Sequence, residues 1–232
     1  MSLFLIPVPL ADHTADLVLP AQVKQVVAEL DVFFVENLRT ARRFIAGLKL
    51  GKVIDELTFF ELNKDTPPAE TLAQLKELLK NGQSAGVLSE AGCPGVADPG
   101  AVAVQIAHQL GIEVIPLVGP SSILLALMAS GMSGQSFVFH GYLPIDRNER
   151  ANAIKKLEKE AITRHQTQLF IETPYRNQAL FQDLLQLCQP TTRLCVACNL
   201  TAPDAFVKTY AIGSWKKHQI DLHKKPAIFL LG

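Results

Sequence analysis

Ala85-Gly86-Val87-Leu88-Ser89-Glu90-Ala91-Gly92-Cys93-Pro94-Gly95-Val96-Ala97-Asp98-Pro99-Gly100 settles the architecture more than any other segment of the chain. Ala85 to Leu88 is a short apolar run and reads as a buried strand. Ala101 to Leu110 reads as a helix ended by Gly111. Between them lies a loop with three glycines, two prolines and little side-chain bulk. Such a loop lets a ligand reach backbone N–H and C=O groups closely. In an open α/β sheet, ligands bind beyond the carboxyl ends of the strands, where this loop should lie. The loop is neither a G-x-G-x-x-G fingerprint nor a P-loop, because it lacks G-K-[ST]. Taken alone, it could be an ordinary turn with Asp98 capping a Pro-started helix.

The same strand–helix alternation extends in both directions. Towards the N-terminus, Phe4 to Val8 and Val32 to Val35 read as strands. Helices are expected from Pro20 through Leu30, from Arg39 to Leu48 and from Pro67 to Leu79, the last closed by Asn81-Gly82. Ile112 to Pro116 is a further strand. This pattern implies a mostly parallel sheet covered on both faces. Beyond it come helices at Ser121 to Ser130, Glu149 to Arg164 and Arg176 to Cys188. Strands are expected at Ser136 to His140, Gln168 to Glu172, Arg193 to Cys198, Phe206 to Ile212 and Pro226 to Leu231. The later strands follow one another at hairpin-like spacing, as in a mixed sheet. The fold class is therefore α/β in two lobes, 1–117 and 118–232, joined near Leu117-Val118-Gly119.

Composition narrows the function classes. The 232 residues are 48% hydrophobic, with 22 Lys+Arg balancing 22 Asp+Glu, which excludes disorder and binding of nucleic acid through global basicity. A local basic patch stays open. Met1 to Pro9 is apolar but has no basic residue and two prolines, so it does not read as a signal segment. No run reaches the roughly eighteen apolar residues that a membrane span needs. The four cysteines are too few for a disulfide scaffold, and the expected compartment is the cytoplasm.

Three more segments resemble ligand loops. Pro116-Leu117-Val118-Gly119-Pro120-Ser121-Ser122 joins a strand to a helix, and either serine would serve as an N-cap. Phe170-Ile171-Glu172-Thr173-Pro174-Tyr175-Arg176 ends a strand in a carboxylate before a Pro-started helix. Cys198-Asn199-Leu200-Thr201 closes a buried strand with polar residues. In order and spacing, these segments resemble the tetrapyrrole methylase superfamily of S-adenosylmethionine (SAM) methyltransferases. Within it the chain is most similar to the small-subunit rRNA ribose 2′-O-methyltransferases. Their S-D-A-G-T-P-G-I-S-D-P-G corresponds to Ser89 to Gly100, and their P-G-P-S-A to Val118-Gly119-Pro120-Ser121-Ser122. F-x-G-F-L-P corresponds to Phe139-His140-Gly141-Tyr142-Leu143-Pro144, and E-S-P-H-R to Glu172-Thr173-Pro174-Tyr175-Arg176. The departures are specific. A-E-D-T-R-x-T is replaced by Val35-Glu36-Asn37-Leu38-Arg39-Thr40-Ala41, a His-rich segment by Phe60-Glu61-Leu62-Asn63, and R-E-L-T by Cys198-Asn199-Leu200-Thr201. Donor-side motifs survive and acceptor-side ones change, as in a paralogue with the same donor and another acceptor.

The resemblance implies a two-lobed SAM enzyme with the cofactor in a cleft between the lobes and a homodimeric assembly. It implies SAM contacts at Leu10, Gly92, Cys93, Val96, Ser121, Ser122, Ile171, Asn199, Pro226 and Ala227. A ribose hydroxyl is a poor acid, so a base or strong orientation helps; Asp98, Glu172 and Glu36 are the candidates. Arg39, Arg42 and Arg43 either meet phosphate or form a solvated basic face. Arg147, Arg150, Lys155 and Lys156, beside Glu149 and Glu158, read as a solvated charged helix. Cys195 and Cys198 have C-x-x-C spacing, but on a strand they point to opposite faces, and the six histidines are scattered; no metal is expected. Small-subunit rRNA is the implied acceptor. A tetrapyrrole or other small acceptor, or a SAM-binding protein without catalysis, are the rival readings.

Overall fold

The computed structural model describes residues 1–215 and 217–232. The chain divides into two compact units, 1–121 and 122–232.

The first unit runs β1 (Ser2–Ile6), α1 (Ala15–Val18), α2 (Ala21–Glu29), β2 (Val32–Val35), α3 (Leu38–Gly47), β3 (Thr58–Glu61), α4 (Pro68–Lys80), β4 (Ala85–Leu88), α5 (Gly100–Gln109) and β5 (Glu113–Pro116). All five strands are parallel, in the order β3-β2-β4-β1-β5. The central strands β2 and β4 are buried on both faces, which is why they read as unbroken apolar runs rather than alternating ones. Leu3, Phe34, Val87 and Ala103 share one core, and Ile6, Phe33, Val35 and Ile45 share the other.

The second unit runs α6 (Ser122–Ser130), β6 (Phe137–Tyr142), α7 (Arg147–Arg164), β7 (Thr167–Ile171), α8 (Asn177–Leu187), β8 (Arg193–Cys198), β9 (Phe206–Ala211), α9 (Ile212–Trp215) and β10 (Ala227–Leu231). Its sheet order is β6-β7-β10-β8-β9, with only β6 and β7 parallel. One face packs Ile154, Phe181 and Trp215 against Phe170 and Phe229, and the other packs Ala126 and Leu127 against Leu169 and Ile228. The expected α/β class and mixed second sheet are observed, and the first sheet is wholly parallel. No helix among the described residues is long and apolar enough to cross a membrane.

Several local expectations need correction. β3 was absent from the sequence reading because Phe59 and Phe60 sit among polar neighbours, and the strand is only partly buried. The first strand ends at Ile6 rather than Val8, since Pro7 has no N–H to donate. Arg150 and Glu158 do not belong to a solvated face. The Arg150 side chain is 13% exposed and paired with Asp183 of α8 at 2.8 Å, with a further bond to the Ile145 carbonyl. Glu158 is buried and accepts hydrogen bonds from the Gln189 N–H and the Thr192 hydroxyl.

Candidate functional site

In a parallel sheet every strand delivers its carboxyl end to the same edge. In the first unit that edge carries the loops after β1, β2, β4 and β5, and three of them are physically joined. Val8 N–H donates to the Gly92 carbonyl at 2.9 Å and Gly92 N–H returns to the Val8 carbonyl at 3.1 Å. The Cys93 thiol meets the Pro120 carbonyl at 3.4 Å. Gly92 has φ +79°, a left-handed conformation that glycine adopts without strain. A Cβ there would lie 3.3 Å from Leu10 Cδ2 and 3.5 Å from the Pro120 oxygen. A Cβ on Gly119 would collide with the Pro7 ring. Leu10, Gly92, Cys93 and Pro120 therefore converge on bare backbone, the kind of surface that a nucleotide-sized ligand can approach. Val96 lies on the same β4–α5 loop and is 51% exposed.

Asp98 holds this loop in shape. Its Oδ1 accepts from Gly95 N–H and Gly100 N–H, both at 2.7 Å, so the carboxylate closes the turn and sits at the first residue of α5. Its other oxygen, Oδ2, is buried and makes no hydrogen bond. Burial pushes the Asp98 carboxyl up, against the two backbone N–H groups and the nearby Ser89 hydroxyl, which favour the charged form. Glu36, at the end of β2, is pushed up by burial as well. The Glu90 N–H bonded to it at 3.3 Å pulls the other way, while the charges of Glu90 and Asp98 add to the rise. Two of the three candidate bases thus share one electrostatic neighbourhood.

The neutral Asn37, where the resembled family has an acid, keeps the local role. Its side chain caps α3 by accepting from Arg39 N–H and Thr40 N–H. Of the three arginines of that helix, Arg42 is paired with Asp55 and stands over the Phe59 ring, Arg43 lies 3.8 Å from Asp12, and Arg39 is exposed. A hollow of about 280 Å³ opens beside them, lined by Asp12, His13, Thr40, Arg43, Ser89 and Glu90 among others. None of the expected cofactor residues lines it, and sequence reasoning missed it, because its walls come from the β1–α1 loop, the face of α3 and the start of the β4–α5 loop, which only the fold brings together.

In the second unit, Ile171, Asn199, Pro226 and Ala227 meet at one end of the sheet. Ile171 faces Ile228, Ala227 faces Cys198, and Asn199 N–H bonds to the Pro226 carbonyl at 3.0 Å. Asn199 has φ +50°, and its side-chain amide donates to Asp204 at 2.7 Å. Glu172, the third candidate base, is tied up: its Oε1 accepts from Thr173 N–H and from Arg176, both at 2.6 Å. Through that oxygen it braces the turn that leads into α8. Cys198, where the resembled motif has arginine, is wholly buried. Cys195 and Cys198 belong to cores on opposite faces, and burial pushes Cys198 up to about 11. Among the described residues no group of three His, Cys, Asp or Glu side chains could hold a metal ion.

Comparison with known proteins identifies the family. The family model described as Tetrapyrrole (Corrin/Porphyrin) Methylases matches residues 16–214. Curated relatives carry the name ribosomal RNA small subunit methyltransferase I, and three of them serve as examples. The protein of Buchnera aphidicola (subsp. Schizaphis graminum) is 26% identical over 99% of this chain and 77% of its own length. That of Vibrio cholerae is 29% identical over 86% and 65%, and that of Thermotoga maritima 31% identical over 68% and 67%. The chain thus spans about two thirds of the latter two. Among solved structures, the methyltransferase CobJ superposes with TM-score 0.64 at 16% identity, covering all of this chain and 93% of that one. Cobalt precorrin-4 methyltransferase does so with TM-score 0.60 at 14% identity, covering all of this chain and 94% of that one. These two likenesses bear on the fold alone.

Proposed function

The chain belongs to the tetrapyrrole (corrin/porphyrin) methylase family, and from that premise we propose that it transfers a methyl group from SAM to a ribose hydroxyl of small-subunit ribosomal RNA. One observation carries the acceptor: similarity to proteins named for ribosomal RNA methylation runs over as much as 99% of the chain. The convergence on Gly92 supports the placement of the donor.

The residues present suit SAM in two respects. The space that a Cβ at Gly92 would fill lies against Leu10 and the Pro120 carbonyl, and Asp98 Oδ2 is a buried acceptor without a partner. In this reading Leu10, Gly92, Cys93, Val96 and Ser121 of the first unit hold SAM. Ser122, Ile171, Asn199, Pro226 and Ala227 are assigned to it through the family resemblance. Bound SAM supplies a methyl carbon already made electrophilic by its sulfonium. The protein's own task is to orient the acceptor, exclude water and take up the hydroxyl proton. Asp98 and Glu36 suit the last step, because carboxylates raised by burial are better bases than ordinary ones. Glu172, the third candidate, is bonded through Oε1 to Arg176.

The deciding experiment incubates the protein with tritiated SAM and small ribosomal subunits lacking the modification. Label in RNA that is stable to base hydrolysis at the modified nucleotide supports ribose methylation. Label appearing only in an added uroporphyrinogen-type tetrapyrrole would replace this reading with the rival one.

A further inference from the structure

We propose that the end of the second unit's sheet where β6 and β7 finish is a platform for unpaired RNA, with nucleobases stacking on Tyr142 and Tyr175 and Lys224 serving the backbone phosphates. The proposal rests on the RNA-acceptor reading above and names the part of the second unit that grips that RNA.

Both tyrosines are out in solvent, Tyr142 at 61% and Tyr175 at 72% exposure. Neither is on a loose segment. Along β6 and β7, Phe139 pairs with Leu169 but Tyr142 pairs with Ile171, so three steps on one strand match two on the other. Gly141, at φ +65°, takes up the extra residue, and bulges of this kind re-aim the side chain that follows. Tyr175 sits in a turn pinned on both sides. Arg176 N–H bonds to the Thr173 carbonyl at 2.9 Å, and Lys224 N–H bonds to the Pro174 carbonyl at 3.0 Å. That second bond brings Lys224 Nζ to 6.0 Å from the Tyr175 ring centre.

The charges around the rings favour an anionic, aromatic partner. Arg176 is compensated by buried Glu172, and Lys225 lies 3.3 Å from Asp221, which leaves Lys224 as the cation beside the exposed ring. Fixed, exposed rings with a cation at hand are how proteins bind single strands without reading sequence, since every base has a π-face. A chain with zero net charge has little general attraction for RNA, so stacking has to supply a large part of the grip.

The test measures fluorescence anisotropy of fluorescein-labelled oligoadenylate with the full chain, beside KM and kcat for methylation of small ribosomal subunits. Tyr142→Ala and Tyr175→Ala should each weaken oligoadenylate binding about ten-fold and raise KM with kcat kept, whereas the Phe variants bind like the parent. Lys224→Ala should lower the slope of log affinity against log salt by about 0.7. These residues are exposed, so matching thermal melts would show that the variants fold. Ala variants with parental affinity and KM would overturn the platform while leaving RNA as the acceptor. A parent that neither binds oligoadenylate nor methylates subunits would overturn both readings.

Discussion

Asp98 does two things that a neutral residue cannot combine: it closes the loop after β4 and carries a buried charge there. Its folded-state pKa lies above the ordinary 3.8, so the folded protein binds this proton more tightly than the unfolded chain does. The resulting stabilisation is complete below 3.8 and is lost as pH rises through the raised value. Asp98→Asn removes that dependence. Its Tm relative to the parent should therefore climb between pH 4 and pH 7, checked by thermal melts across that range; a constant difference would contradict the raised pKa. Gly92→Trp fills the space against Leu10 and Pro120 and should abolish heat of SAM binding in calorimetry, and retained affinity would move the donor site elsewhere. At this scale the sequence was informative where chemistry restricts residue choice. Glycines and prolines marked the loop, whereas the ion pair between Glu172 and Arg176 was not legible, because residues four apart in a loop carry no fixed spacing signal.

Secondary structure was legible where burial is two-sided or one-sided in a clean period. β2, β4 and β8 were found as apolar runs, and α4 by its leucine face. β3 was missed because a partly buried edge strand has no such signature. The polar helix α7 was misjudged in one respect: its charge-rich sequence conceals the buried Glu158, satisfied by hydrogen bonds, and the largely covered Arg150, paired with Asp183. Arg150→Ala leaves Asp183, itself 15% exposed, without its partner. The expected loss is on the order of 3 kcal/mol in urea denaturation, and Arg150→Met combined with Asp183→Leu should recover most of it. A loss of the same size in the double variant would show that packing, not charge, is what α7 and α8 share here.

For the molecule as a whole, the sequence suggested two lobes from a change in strand spacing, and each unit has apolar clusters on both faces of its own sheet. The second unit also contains the chain's single tryptophan. Trp215 is wholly buried, donates to the Leu194 carbonyl at 2.8 Å and meets Phe181 and Tyr210 edge-on. A fragment of residues 122–232 should keep blue-shifted tryptophan emission and lose it cooperatively in urea. Emission typical of water-exposed indole would show that this core does not stand alone. What the sequence could not supply at this scale was the partnership between distant loops, since hydrogen bonds between main-chain atoms depend on no particular side chain.

The reciprocal bonds between Val8 and Gly92 have a mechanical consequence. They work as a latch across two segments more than eighty positions apart in the chain, so neither can swing out on its own. The amide protons of both residues should exchange with deuterium at one common rate, as two hands of the same clasp.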